Sequence, residues 1–314
     1  MEKVEGINKV AIIGAGLMGF GIGVDFARAG YATWLYNTRE ETSRQSMSRA
    51  RKALDLFVAA EMMTAAEAET AYTCLHPTTN LEKASEDADY VSESVMESRS
   101  LKRKIFADLD RLCPPRAILT TNSSNFTTTS IVSENEVRYP GRCCVAHYFQ
   151  PPHFLPLVEV VGGEKTTPET IDRTCQILSK MHKKPVVIPV EVPGHAGNRI
   201  QGAIGREVRY LIDNKICTPE MIDDIIMYSF GRRMVNTGWF VRNDLIGLDF
   251  TYNVAKAAGR EPWEPFKERV ERGELGMKSG KGFYDWPDFG EAVKNRQDMD
   301  LLRFLKRDIE EGKL

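Results

Sequence analysis

Two groups of residues in this 314-residue chain have the types and spacing that chemistry needs. The first is Gly14-Ala15-Gly16-Leu17-Met18-Gly19, which follows the apolar run Val10 to Ile13 and precedes Val24, Phe26, Ala27 and Ala29 at helical spacing before Gly30. Strand, glycine turn and helix in this order cradle a pyrophosphate. Gly14 permits the tight turn, Gly16 lets backbone approach the anion, Gly19 lets helix and strand pack closely, and the helix start offers N–H groups to the charge. Leu17 and Met18 complete the turn and count with the glycines as cofactor contacts. Among 24 glycines a bare GxGxxG would carry little; the flanking strand and helix give it weight.

The second group is His147 and Glu159, twelve residues apart in two apolar stretches, Val145 to Phe149 and Leu157 to Val161. An ionised carboxylate among apolar neighbours is costly unless something pairs with it, and His147 is the obvious partner. A carboxylate on one imidazole nitrogen fixes the tautomer and stabilises the imidazolium, leaving the other nitrogen to take a proton from an alcohol. Taken singly, a buried histidine such as His147 is more often structural than catalytic, and Glu159 also reads as a strand-edge surface residue.

The elements around these groups predict an α/β fold. A strand over Thr33 to Tyr36 closes the first βαβ unit, and Thr38 with Glu41 has the spacing of a capping box for a helix running to about Ala60. Further strands are expected at 89–92, 117–120, 144–149, 157–161 and 186–188, with a helix over Leu101 to Leu109. Such alternation argues for a mostly parallel sheet covered on both faces. After Val192-Pro193-Gly194 the character becomes helical: Ile200, Ile204, Val208 and Leu211 recur at helical spacing, Thr218-Pro219-Glu220 opens a capped helix, and Ile246 to Ala258 reads as another. The organisation expected is a Rossmann-like NAD(P)-binding domain over 1–192, an all-α second domain over 193–287, and a charged helical tail over 288–314; that the second is a substrate and dimerisation domain is what the family resemblance described below implies.

Composition narrows the function. With 42 basic against 44 acidic residues there is no surplus of positive charge for a nucleic acid partner. The apolar runs fall short of the ~20 residues a membrane span needs, and the first strand starts too near Met1 for a leader, so a cytoplasmic protein acting on a small molecule is expected. The six cysteines show no zinc spacing, so no metal is expected, and a zinc-dependent alcohol dehydrogenase would lack its ligands. Tyr252-Asn253-Val254-Ala255-Lys256 matches the Tyr-x-x-x-Lys of short-chain dehydrogenases, but it lies in the helical second part, and the glycine spacing is not that family's.

The end of the second strand is where a dinucleotide fold normally places an acid for the adenine ribose. Here the position is Asn37, followed by Thr38 and Arg39. Asparagine can bond a ribose hydroxyl but does not repel a 2′-phosphate. Arg39 either pairs with such a phosphate or is a solvated first-turn side chain. These residues alone admit NADP beside NAD; NAD is favoured only by the family resemblance described below.

The glycine turn in Ile12 to Gly19, the segment Thr121-Asn122-Ser123-Ser124, the His147 and Glu159 pair, Pro193-Gly194 with Asn198-Arg199, and Gly280-Lys281-Gly282-Phe283-Tyr284 together resemble the 3-hydroxyacyl-CoA dehydrogenase family, in the right order from Val10 to about Trp286. The resemblance implies a homodimer that transfers hydride between a 3-hydroxy group and a nicotinamide ring. By position it implies His147 as general base and Glu159 as its orienting carboxylate. Ser124 and Asn198 would bond the substrate oxygen and the catalytic histidine, and Glu97, Lys102 and Asn122 would lie at the cofactor. Read from the residues alone, Ser124 is a loop cap, Asn198 a helix start, and Glu97 and Lys102 exposed helix charges.

Where the family commonly shows His-x-x-Asn-Pro, this chain has Gln150. The stretches 150–159 and 231–238 look more like the branch of gulonate and carnitine dehydrogenases and lambda-crystallins, which acts on free hydroxy acids. Arg233 would then clamp the substrate carboxylate bidentately, with Gln150 also at the substrate; alternatively Arg232 and Arg233 are solvated. The stretch Leu54 to Met63, beside which the family holds the CoA tail, carries two acids and no base. Three readings stand: oxidation of a 3-hydroxyacyl-CoA, oxidation of a free hydroxy acid, and a non-catalytic, crystallin-like dinucleotide binder. Retention of Ser124, His147, Glu159 and Asn198 together argues against the last.

Overall fold

The computed structural model describes residues 3–132, 137–287 and 290–314. The chain divides into two compact units, Met1–Ile204 and Gly205–Leu314.

The first unit is built on strands β1 (Lys9–Ile13), β2 (Ala32–Tyr36), β3 (Leu75–Thr78), β4 (Tyr90–Glu93), β5 (Ile118–Thr121), β6 (Cys143–Tyr148), β7 (Leu157–Gly162) and β8 (Lys184–Ile188). They form one sheet in the order β3-β2-β1-β4-β5-β6-β7-β8, parallel throughout except between β6 and β7. Helices α1 (Gly19–Arg28), α2 (Glu40–Ala59), α3 (Ala65–Thr73), α4 (Leu81–Ser85), α5 (Arg99–Leu112), α6 (Thr128–Val132) and α7 (Pro168–Lys180) connect the strands. Two apolar clusters make the core, one around Ile12, Ile22, Phe26 and Tyr90, the other around Ile13, Val91, Phe106 and Leu119. Successive residues of β1 serve different clusters because they point to opposite faces of the sheet. This is why the central strands read as unbroken apolar runs rather than alternating ones. Strand order reverses between β1 and β4, and the crevice at such a switch point is where this architecture binds ligands.

Two expectations need correction. Thr38 does not cap α2. The helix starts at Glu40 with Arg39 at its N-cap and no side-chain cap bond, because the Ser43 N–H bonds to the Arg39 carbonyl and leaves Thr38 one residue too early. The single helix expected from Ile246 to Ala258 is interrupted at Gly247, whose φ of +105° lies outside helical space. The segment 65–85, for which nothing was expected, forms α3, edge strand β3 and α4.

Helix α8 (His195–Asp213) begins in the first unit and ends in the second. The second unit also contains α9 (Pro219–Tyr228), α10 (Phe230–Thr237), α11 (Trp239–Ile246), α12 (Leu248–Ala257), α13 (Glu264–Glu271) and α14 (Gly290–Glu310). Thr218 caps α9 by accepting from the Met221 N–H. The Gly280 to Tyr284 motif folds around buried Asp244, which accepts from Phe283 N, Tyr284 N and Trp286 Nε1. A Cβ on Gly282 would stand 2.4 Å from Asp244 Oδ1, so glycine is required there by close approach. Of the expected tail, residues 288 and 289 lie outside the described residues. No helix among the described residues is long and apolar enough to cross a membrane.

Candidate active site

The glycine turn sits at the carboxyl end of β1. Gly14 has φ +93°, and a Cβ there would lie 2.9 Å from the Ser94 and Val95 backbone; one on Gly19 would lie 2.2 Å from the Gly14 carbonyl oxygen. Packing therefore demands the first and third glycines. A Cβ on Gly16 would meet no protein atom within 4 Å, so the fold itself does not require that glycine. Its missing side chain keeps the open face of the turn accessible, which fits a pyrophosphate. Leu17 is exposed there. Asn37, at the end of β2, is buried, and its Nδ2 donates to Ser46 Oγ at 3.1 Å, leaving the carboxamide oxygen as acceptor for a ribose hydroxyl. Arg39 is exposed. These residues fit the pyrophosphate and adenine ribose of a dinucleotide.

The antiparallel register of β6 and β7 sets His147 directly opposite Glu159. Their side chains meet with His147 Nδ1 2.9 Å from Glu159 Oε2, and both residues are buried. The carboxylate accepts, so Nδ1 carries the hydrogen and Nε2 keeps its lone pair. Glu159 Oε1 accepts from the backbone N–H groups of Ala196 at 3.0 Å and Gly197 at 2.8 Å, in the first turn of α8. A helix N-terminus stabilises an anion, which offsets the cost of holding this carboxylate inside. The close approach depends on Gly197, where a Cβ would fall 2.4 Å from the Phe149 ring. On the other side of the imidazole, Nε2 lies 3.3 Å from Ser124 Oγ. Asn198 Nδ2 reaches the Ser124 carbonyl at 3.5 Å.

Burial pushes the His147 imidazole below the ordinary histidine range, opposed by its bond to Glu159. A base works only when unprotonated. The acid limb of kcat/KM is therefore expected below pH 6.5, with activity lost as pH falls through it. Because Glu159 acts upward, Glu159→Gln is expected to move this limb to still lower pH. A rate profile across pH 4.5–8 checks both directions, and a limb that rises in the variant would contradict the pairing.

Behind the serine lies a buried ion network. Lys102 Nζ is 2.8 Å from Glu93 Oε1 and 3.2 Å from Glu97 Oε2. Thr121 Oγ1 donates to Glu93 Oε2 at 2.7 Å, while Glu97 Oε1 accepts from Ser123 Oγ and from Asn125 N at 3.0 Å. Asn122 Oδ1 accepts from Tyr148 N at 2.8 Å, joining the end of β5 to that of β6. The segment from Thr121 to Asn125 is thus held from both sides. Lys102 is 1% exposed, which sets aside its reading as an exposed helix charge. Gln150 is exposed just beyond β6, and Arg233 stands on α10 of the second unit. Tyr252 and Lys256 are neighbours on α12 of that unit.

Two residues at this site escaped the reading of the sequence. Glu93 ends β4, and nothing local marks it as ion-paired. His195 has φ +46°, a left-handed conformation unusual for a residue with a Cβ. Its Nε2 donates to the Ser123 carbonyl at 3.0 Å, and its ring centroid lies 5.2 Å from that of His147.

A glycine turn at a switch point defines a dinucleotide-binding fold, and the same unit holds the Ser124-His147-Glu159 array. Residues 9–192 match the 3-hydroxyacyl-CoA dehydrogenase NAD binding domain, and residues 194–286 match the 3-hydroxyacyl-CoA dehydrogenase C-terminal domain. The chain is 32% identical over 295 residues to the 3-hydroxyadipyl-CoA dehydrogenase of Escherichia coli, covering 91% of this chain and 61% of that relative. It is 36% identical over 244 residues to the L-carnitine dehydrogenase of Bacillus cereus, covering 77% and 72%. The solved structure of a 3-hydroxyacyl-CoA dehydrogenase from Archaeoglobus fulgidus is similar with a TM-score of 0.77 at 28% identity, covering 95% of this chain and 99% of that one. The chain belongs to the 3-hydroxyacyl-CoA dehydrogenase family, and its first unit carries that family's NAD-binding domain. It spans 61% of the length of the Escherichia coli relative.

Proposed function

We propose that this chain is an NAD-dependent dehydrogenase that oxidises a 3-hydroxy group to a ketone. The observation that carries the reading is His147 fixed by Glu159 at Nδ1 while its Nε2 shares a hydrogen-bonding position with Ser124 Oγ. A substrate hydroxyl bonded by Ser124 gives its proton to Nε2, and the imidazolium so formed is stabilised by the Glu159 carboxylate across the ring. Bound NAD supplies the acceptor for the hydride that leaves C3. Asn198 holds the serine segment. Glu97, Lys102 and Asn122 bear on the cofactor through the 121–125 segment that they anchor.

The substrate of first choice is a 3-hydroxyacyl thioester, as in the name of the Escherichia coli relative. The Bacillus cereus relative is named for carnitine, a free hydroxy acid, and Arg233 supports that second reading here because its Nε is buried with no acceptor among the described residues. Gln150 would contact the substrate in either case. NADH formation from 3-hydroxybutyryl-CoA and from free 3-hydroxy acids, in wild type and Arg233→Met, separates the two. A loss confined to free acids supports the clamp, and free-acid turnover indifferent to Arg233 removes it. No turnover of either class would favour a non-catalytic, crystallin-like binder.

Cofactor choice follows from Asn37. Asn37→Asp is expected to sharpen preference for NAD by repelling a 2′-phosphate, and Arg39→Ala to weaken NADP. Dissociation constants for both cofactors check this; an unchanged ratio in both variants would place the ribose elsewhere.

The working form is a cytoplasmic homodimer with residues 193–287 as the substrate and dimerisation domain and the tail from 288 following it. Met221, Ile225, Trp239 and Phe250 are all exposed on the second unit, and burying them against a second copy would support a dimer contact there.

A further inference from the structure

The first turn of α8 holds both arms of the array around His147. Its Ala196 and Gly197 N–H groups bond Glu159 Oε1 and so secure the carboxylate that faces His147 Nδ1. His195, one residue earlier, sends its side chain to the other arm, where Nε2 donates to the Ser123 carbonyl at 3.0 Å. That carbonyl belongs to the peptide joining Ser123 to Ser124. Because a peptide unit is planar, fixing the direction of its oxygen fixes the plane from which the Ser124 side chain departs, and Ser124 Oγ stands 3.3 Å from His147 Nε2. The Asn198 amide reaches the next carbonyl at 3.5 Å, a longer and weaker hold.

The His195 ring is committed to this one bond. A carbonyl only accepts, so Nε2 carries the hydrogen and Nδ1 keeps its lone pair; Nδ1 is buried and meets no donor among the described residues. An apolar side chain would fill this 1% exposed position without burying an unmatched nitrogen, so packing alone does not account for a histidine. The backbone adds a second cost. At φ +46° a residue with a Cβ is held only where its surroundings over-determine it. Finally, the His195 ring centroid lies 5.2 Å from that of His147, which has Phe149 at 4.8 Å as its other ring neighbour.

We propose that His195 is a positioning residue for the general base: its bond to the Ser123 carbonyl sets the Ser124 hydroxyl against His147 Nε2, and its ring bears on the His147 imidazole. The effect on rate rests on the dehydrogenase reading of the proposed function; the effect on the imidazole does not. The charged groups that act on His147 are Glu159 on β7 and Glu97 after β4, which favour its protonated form, and His195 on α8, which opposes it. Removing the His195 imidazole therefore raises the pH at which His147 takes up a proton.

Three substitutions separate the donor from the ring. His195→Phe keeps an aromatic ring and removes the donor. His195→Asn also removes it, because the shorter amide falls short of the carbonyl; asparagine tolerates left-handed backbone, so this variant decides the question if the first fails to fold. His195→Gln restores an amide donor at about the reach of Nε2. With the substrate that wild type oxidises, His195→Phe and His195→Asn are each expected to lower kcat about tenfold, with KM and the Kd for NAD nearly unchanged, and His195→Gln to recover to within about threefold of wild type. All three should move the acid limb of kcat/KM to higher pH, opposite to Glu159→Gln, a shift that a merely structural loss does not produce. NMR titration of the His147 ring, one of five histidines, reads the same shift without substrate. A kcat within about twofold of wild type in both donorless variants, or a His195→Gln variant no faster than they are, would overturn the positioning of Ser124. A His147 titration unmoved in every variant would overturn the action of one ring on the other. A wild type that oxidises neither 3-hydroxybutyryl-CoA nor free 3-hydroxy acids removes the dehydrogenase reading instead, and the titration then decides whether His195 acts on His147.

Discussion

His147→Gln is expected to lower kcat by about 10²- to 10⁴-fold, the range over which a positioned general base accelerates proton transfer, with the dissociation constant for NAD nearly unchanged. The argument rests on the two faces of one ring. Nδ1 is occupied by Glu159 at 2.9 Å, and Nε2 is directed to Ser124 Oγ at 3.3 Å, so a single nitrogen is left to receive the substrate proton. Glutamine retains polarity but supplies no base. Steady-state kinetics with fluorescence titration of NAD checks both halves, and activity within threefold of wild type would remove His147 from the mechanism. Glu159→Gln is expected to cost less, because the amide keeps the hydrogen-bonding shape and loses only the charge that stabilises the imidazolium.

Lys102→Met is expected to destabilise the first unit by about 3–5 kcal/mol, the usual consequence of removing one partner from a buried ion pair. Glu93 is fully buried and Lys102 nearly so, and Lys102 Nζ is the cation on Glu93. Without it a carboxylate remains inside with Thr121 Oγ1 and the Val95 N–H as its donors. Glu97 would lose the same cation and with it part of its hold on Ser123 and Asn125, so turnover should fall together with stability. Denaturant unfolding of the variant measures the first effect. A stability within 1 kcal/mol of wild type would show that the network does not carry the charge balance read from it.

How much of this was legible in the sequence depended on whether the signal was local. The β1 turn and α1 were readable because three glycines at fixed spacing leave few alternatives, and two of them fill positions where a Cβ collides with backbone. His147 and Glu159 could be connected because both interrupt apolar runs, and the register of adjacent strands makes twelve residues of separation a direct contact. The edge strand β3 was not legible. Leu75-His76-Pro77-Thr78 buries only Leu75, and its proline is tolerable only because the strand is at the sheet's edge, a property of the whole topology. Glu93 was missed for a similar reason: its cation is nine residues away on α5, and Ser92-Glu93-Ser94 looks solvated until β4 is known to be central. His195 did leave a trace, a histidine directly after Pro193-Gly194, but its hold on Ser123 crosses 72 residues. The misplaced helix boundary at Gly247 had a visible signal, the glycine itself, which a run of apolar neighbours outweighed.

The central claim is that a hydride leaves the 3-position of a hydroxy compound while His147 takes the proton. Incubating the protein with NAD and either 3-hydroxybutyryl-CoA or 3-hydroxybutyrate, each carrying deuterium at C3, and weighing the reduced nicotinamide by mass spectrometry tests it most directly. The account predicts reduced cofactor one mass unit heavier from at least one of the two, formed by wild type and at least about 10²-fold more slowly by His147→Gln. Reduced cofactor without the label, or none from either compound in a protein that binds NAD, would contradict it.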